Sequence, residues 1–136
     1  TVLFIKMKKK ISLHGGGTSE RSFIHMNDVA NATIRIMQKA EPGEIFHIAT
    51  EDSITICDLV KMICGMMNVR FEDHVEIVGE RLGKDSAYLL DSTKLKSTLG
   101  WQSRVELEEG IQTVIHWVEN NLGILTQQPM DYIHTA

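Results

Sequence analysis

An α/β fold, helices joined by a few short strands, is what the sequence predicts, and three observations carry that expectation. Residues 107–122 hold one apolar stripe at helical spacing, Leu107, Ile111, Val114, Ile115, Val118 and Leu122, with Gly123 as a C-terminal stop. Residues 55–67 repeat the pattern with Ile56, Leu59, Val60, Ile63 and Met67. Short runs of β-forming residues, Ile11 to His14 and Val75 to Val78 among them, are too brief for helices. At 136 residues, 43% hydrophobic and 24% charged, the chain has the size and composition of one globular domain, spanning residues 1–136.

In chain order, residues 1–10 are ambiguous. Val2, Leu3, Phe4 and Ile5 favour a strand, while Phe4, Met7 and the following lysines fit a helix end. Thr1 leads straight into this apolar segment, so the chain reads as cut from something longer. Ile11 to His14 is a strand before the run Gly15, Gly16 and Gly17. Three glycines let the backbone turn or approach a ligand closely, and a plain turn is the simpler use. The run does not have the G-x-G-x-x-G spacing and precedes a strand, so it is no dinucleotide fingerprint.

Arg21 to Met26 then reads as a strand, with Arg21, Phe23 and His25 on one face and Ser22, Ile24 and Met26 on the other. Asn27 or Asp28 can cap the helix that follows, about 28–39, where Val29, Ala32, Thr33, Ile36 and Met37 recur at helical spacing. Glu41, Pro42 and Gly43 stop it, and residues 44–49 form another strand. Thr55 with Asp58 resembles a capping box. Met62, Met66 and Met67 suit either an adaptable surface or core filling. A loop from Gly79 to Asp85 leads into the apolar run Ala87 to Leu90. A short helix follows, capped near Asp91 or Ser92 and stopped at Gly100, and Trp101 is expected to anchor on the last helix. Residues 127–136 lack periodicity and are expected to be mobile or to pack on a partner.

Several classes are disfavoured. The net charge is -4 and the longest basic run is Lys8 to Lys10, so nucleic acid is not an expected partner. No apolar run reaches transmembrane length and no signal peptide opens the chain, which leaves the cytoplasm as the expected compartment. Cys57 and Cys64, about 10 Å apart along a helix axis, are beyond disulfide reach and read as reduced core thiols. The histidines and cysteines form no metal spacing, so no metal is implied.

Arg21, beside a flexible loop, is placed to clamp an anionic group bidentately. The run Arg21 to Asp28 resembles the Arg-Asp-aromatic-Ile-His-Val-x-Asp motif of the extended short-chain dehydrogenase/reductases that epimerise and dehydrate nucleotide sugars, with Ser22 in place of Asp. Segments 43–48, 54–59, 81–91 and 99–111 resemble the family in the same order, so the likeness covers roughly residues 5–122. Within the third, Arg81, Gly83 and Asp85 are similar to the Arg-Pro-Gly-His-Asp run of the dTDP-glucose 4,6-dehydratases, while Leu82 and Lys84 depart from it.

The resemblance implies the C-terminal, substrate-binding portion of an NAD-dependent nucleotide-sugar 4,6-dehydratase. Arg21 and Arg81 would contact the nucleotide diphosphate, Gly83 would let the loop approach it, and Lys84 could add a point charge, with Asp85 orienting Arg81. The family also places a helix in residues 1–10 and assigns residues 44–49 to the nucleotide-binding sheet. Its Rossmann glycine loop and Tyr-x-x-x-Lys pair are absent here, because Ser92 and Ala136 stand four residues after Tyr88 and Tyr132. No catalytic or NAD-binding residue is therefore assigned in this chain. The expected partners are a nucleotide-diphosphate sugar, the missing Rossmann half and a second copy. The alternatives are an epimerase of the same family, or a non-catalytic module that binds or oligomerises.

Overall fold

The computed structural model describes residues 1–80 and 83–129. Helix α1 (Val2–Lys6) leads into strand β1 (Ile11–His14) and a tight turn at Gly15–Gly17. Strand β2 (Glu20–Arg21), helix α2 (Met26–Lys39), strand β3 (Ile54–Thr55) and helix α3 (Ile56–Met66) follow. Then come α4 (Phe71–His74), β4 (Val75–Val78), β5 (Ala87–Tyr88), α5 (Thr93–Leu99), α6 (Leu107–Asn120) and α7 (Leu122–Leu125). The predicted α/β class stands: seven helices and five short strands among the described residues.

Two small sheets organise these elements. β1 pairs in parallel with β4, from Ile11 opposite Val75 to His14 opposite Val78. β2 lies at the centre of the other sheet, antiparallel to β3 and parallel to β5. One core joins α1, β1, α3 and α6 through Val2, Ile5, Leu13, Val60, Ile63, Ile111, Ile115 and Val118. Each such side chain, once buried, contributes about 1.5–3 kcal/mol. Met62, Met66 and Met67 pack against it as core filler. The second core gathers Ala32, Leu95, Leu99 and Trp101 between α2 and α5.

Several expectations are corrected. The strand predicted for residues 21–26 ends at Arg21, because the following residues bond through side chains rather than through a ladder. Helix α2 starts earlier than predicted, and its cap is His25, whose Nδ1 accepts from the Asn27 N–H at 3.2 Å. The other ring nitrogen faces the Thr113 hydroxyl of α6 at 3.4 Å. Asp28 does not cap α2; it is buried and bonds the loop after Trp101.

Residues 44–49 join neither sheet. A strand is defined by its ladder partner, and within the described residues this segment has none. Lys94 holds it against α5, pairing with the Glu44 carboxylate at 3.1 Å and lying 4.5 Å from the centre of the Phe46 ring. Trp101 packs on α2 and α5 rather than on the last helix. That helix breaks at Asn121, and Gly123 falls inside α7 instead of stopping α6.

The capping box at Thr55 is half formed. Its hydroxyl accepts from the Asp58 N–H at 3.0 Å, but the Asp58 carboxylate returns to that hydroxyl, which lowers its pKa, instead of to a backbone N–H. Gly100 ends α5 in the left-handed region, as expected. The cysteines are free, Cys64 buried and Cys57 partly so. Of the tail predicted to be mobile or partnered, residues 130–136 lie outside the described residues.

Candidate functional site

Strand β2 brings the arginine motif against the loop that precedes β5. Two residues make a strand only because both sides are paired: Arg21 lies opposite Ile54 on one side and Tyr88 on the other. Two further bonds extend the pairing, from the Ile56 N–H to the Ser19 carbonyl at 3.0 Å and from the Glu20 N–H to the Ser86 carbonyl at 2.8 Å.

The Arg21 side chain is half-buried and bonds two backbone carbonyls. Nη1 donates to Glu20 at 2.6 Å and Nη2 to Asp85 at 3.1 Å. These two bonds fix its orientation, and among the described residues no carboxylate pairs with it. Among the described residues these two bonds use two of its five N–H groups.

The loop after β4 is pinned at both ends. At its start the His14 ring Nδ1–H donates to the Gly79 carbonyl at 3.1 Å. The Glu80 carboxylate then lies over Gly15, where a Cβ would stand only 1.9 Å from Oε2. At its end Asp85 accepts from Arg21. Lys84 reaches back to both Glu80 oxygens, at 3.0 and 3.1 Å, so its charge is spent inside the loop. Gly83 has φ +76, a conformation in which side chains are strained. Arg81 and Leu82 lie outside the described residues; in sequence Arg81 falls directly after Glu80 and four residues before Asp85.

Of the residues the sequence singled out, Arg21 bonds the loop ahead of β5 through the Asp85 carbonyl, Gly83 lies within that loop, and Lys84 pairs with Glu80 where a free cation was expected. Glu80 escaped it, although an acid four residues before a lysine is a signal for such a pair. The role foreseen for Asp85 is filled differently in part: its carbonyl orients Arg21.

The glycine run is a turn. All three residues have positive φ, and a Cβ on Gly17 would come within 2.7 Å of Leu13 and 2.9 Å of the Cys57 nitrogen. Its close approach is to the chain's own backbone, and this does not fit a dinucleotide cradle. Two clefts lie elsewhere. One, about 280 Å³ and apolar, is walled by Phe23, Met26, Leu59 and Val114. The other, about 300 Å³, is lined in part by Asp52, Glu106 and Glu108, whose carboxylates would repel a diphosphate. Neither touches Arg21, Gly83 or Lys84.

Comparison with known proteins shows the family. A family model described as GDP-mannose 4,6 dehydratase matches residues 1–114. A trifunctional UDP-glucose 4,6-dehydratase, 3,5-epimerase and reductase of Arabidopsis thaliana is 32% identical over 120 residues, 88% of this chain and 18% of its own length. The crystal structure of dTDP-glucose 4,6-dehydratase from Bacillus anthracis, in complex with NAD, superposes with a TM-score of 0.83 at 26% identity, over 90% of this chain and 38% of that one. A UDP-glucose 4-epimerase from Thermotoga maritima, with UDP-glucose, gives 0.82 at 26% identity, over 89% and 38%. The chain thus spans well under half of each of these proteins, and it belongs to the GDP-mannose 4,6 dehydratase family of extended short-chain dehydrogenase/reductases, as a C-terminal portion.

Proposed function

We propose that this chain is the nucleotide-sugar-binding part of an NAD-dependent 4,6-dehydratase of the dTDP-glucose type, acting in the cytoplasm in carbohydrate biosynthesis. Arg21 and Arg81 contact the diphosphate. One observation carries the proposal: the bond from Arg21, on β2, to the carbonyl of Asp85, just ahead of the parallel strand β5, joins two motifs about sixty residues apart in sequence. That no carboxylate pairs with Arg21 among the described residues supports the same reading. So does the Glu80–Lys84 pair, which removes the negative charge that would repel a diphosphate from this loop.

NAD and the proton-moving Tyr-x-x-x-Lys pair belong with the part of the fold that this chain does not contain. When bound there, NAD would take a hydride from the sugar and return it. The residues present here bind and orient the substrate and carry no step of that chemistry. Residues 44–49 belong, on this reading, to a sheet completed by the Rossmann half, and the absence of a ladder partner for them among the described residues supports it.

The likeness to the Thermotoga maritima epimerase, nearly equal in TM-score to the dehydratase, favours epimerisation as the second reading. Titration calorimetry of the chain with dTDP, UDP and GDP tests the binding. Arg21→Ala and Arg81→Ala should each cost about 1.5–3 kcal/mol. Affinity unchanged from the parent in both variants overturns the proposal.

A further inference from the structure

We infer that Ser22 and Thr50 are positioning residues that fix how Arg21 is presented, an inference that rests on Arg21 as a diphosphate ligand. β2 stops after Arg21, and two hydroxyls take over the work of the ladder. Ser22 Oγ lies 2.7 Å from Thr50 Oγ1 and 3.1 Å from each of the Thr50 and Asp52 carbonyl oxygens. Thr50 Oγ1 in turn lies 3.3 Å from the Phe23 carbonyl and 3.2 Å from that of Asp52. Three carbonyl oxygens thus meet two hydroxyls, which bring two protons between them. Every proton has a partner, and the cluster has room for donors only.

The placement gives the lock its role. Ser22 directly follows Arg21, and Thr50 and Asp52 lie in the segment that leads into β3, whose Ile54 pairs with Arg21. Ladder and lock therefore close a small ring of backbone around the arginine. Opening the lock frees the peptide after Arg21 to rotate, and with it the line along which the guanidinium leaves the sheet. Nη2 then loses its alignment with the Asp85 carbonyl. A carboxylate at position 22 would set an acceptor against acceptors, which gives the Arg21–Ser22 sequence of this chain a chemical reason.

The test uses the whole chain, with dTDP and UDP as probes in titration calorimetry and the Arg21 Nε–H signal in ¹H–¹⁵N NMR as a readout that needs no ligand. Ser22→Ala and Thr50→Val should each weaken binding about three- to tenfold, and Ser22→Asp more. All three should shift and broaden the Arg21 signal. Ser22→Thr and Thr50→Ser, which keep the hydroxyls, should bind as the parent does. In an Arg21→Ala background the same substitutions should change affinity no further, whereas general damage to the fold would lower it again.

The inference is overturned if Arg21→Ala weakens binding while Ser22→Ala and Thr50→Val leave both affinity and the Arg21 signal unchanged. It is also overturned if Ser22→Asp binds as the parent does, or if losses persist in full without Arg21. If Arg21→Ala itself has no effect, the reading of Arg21 as a diphosphate ligand falls, and the positioning role falls with it.

Discussion

Asp28 is where a single substitution should cost this fold most. Its side chain is 4% exposed, and one oxygen, Oδ2, accepts the backbone N–H groups of Arg104 and Val105, both at 3.0 Å. Its carbonyl accepts from Trp101 Nε1 at 3.2 Å, so one residue of α2 fastens the whole connection between α5 and α6. Asp28→Ala removes two charge-assisted bonds and leaves two half-buried N–H groups unpaired. At about 1.5–3 kcal/mol for each such bond, less the gain from no longer desolvating a carboxylate, the loss should be about 3–4 kcal/mol. Asp28→Asn keeps one carbonyl oxygen that can serve both donors, so it loses the charge but not the geometry, and about 1–2 kcal/mol is expected. Urea unfolding followed by the fluorescence of buried Trp101 measures both. A loss below about 1 kcal/mol for Asp28→Ala, or an Asn variant as unstable as the Ala variant, would refute the reasoning.

Four more outcomes are expected. The pure chain with added NAD should turn over neither dTDP-glucose nor UDP-glucose; a 4-keto sugar product would contradict its role as a binding part alone. Arg21→Ala combined with Arg81→Ala should show a coupling beyond about 0.5 kcal/mol in calorimetry, whereas strictly additive losses would place the two arginines in separate sites. Ile34, Met37 and Ile45 are exposed apolar side chains, so the chain should self-associate and Met37→Glu should reduce that; a monomer at high concentration by sedimentation would count against it. Burial first, and the Glu72 charge second, push the Cys64 thiol up, so alkylation should label half-buried Cys57 well before Cys64 as pH rises; equal rates by mass spectrometry would contradict this.

What the sequence showed and what it hid divide along a physical line. Helices α3, α5 and α6 and strands β1 and β4 were legible because each carries its own periodicity and stop signals, such as Gly100 in the left-handed region. Residues 21–26 alternate as a strand should, yet alternation says nothing about whether a ladder partner exists, and the partner runs out at Arg21. Residues 44–49 likewise have no ladder partner among the described residues. The cap of α2 was placed late because Asp28 looks like a cap residue, while its bonds to residues 104 and 105 depend on a loop more than seventy residues away. Arg21 and the 81–85 loop were found through family resemblance, since two arginines sixty residues apart share no local signal. Thr50 had no signal at all: a threonine in a loop gives no sign that it meets Ser22.

The candidate site also explains why so many side chains surround so little strand. A sheet of three two-residue strands has too few ladder bonds to hold its shape alone. Each segment entering it is instead fixed by a side chain: Ser22 and Thr50 beyond β2, Thr55 at the start of α3, Glu80 and Lys84 ahead of β5. Arg21 belongs to the same set, because its bond to the Asp85 carbonyl closes the sheet before any ligand arrives. The guanidinium is thereby oriented at the expense of two of its donors, and a bound diphosphate would restrict it little further. Preorganisation of this kind preserves affinity by reducing the entropy lost on binding. If Arg21 holds a diphosphate as proposed, substitutions loosening the sheet at Thr55 or Glu80 should weaken that binding in calorimetry.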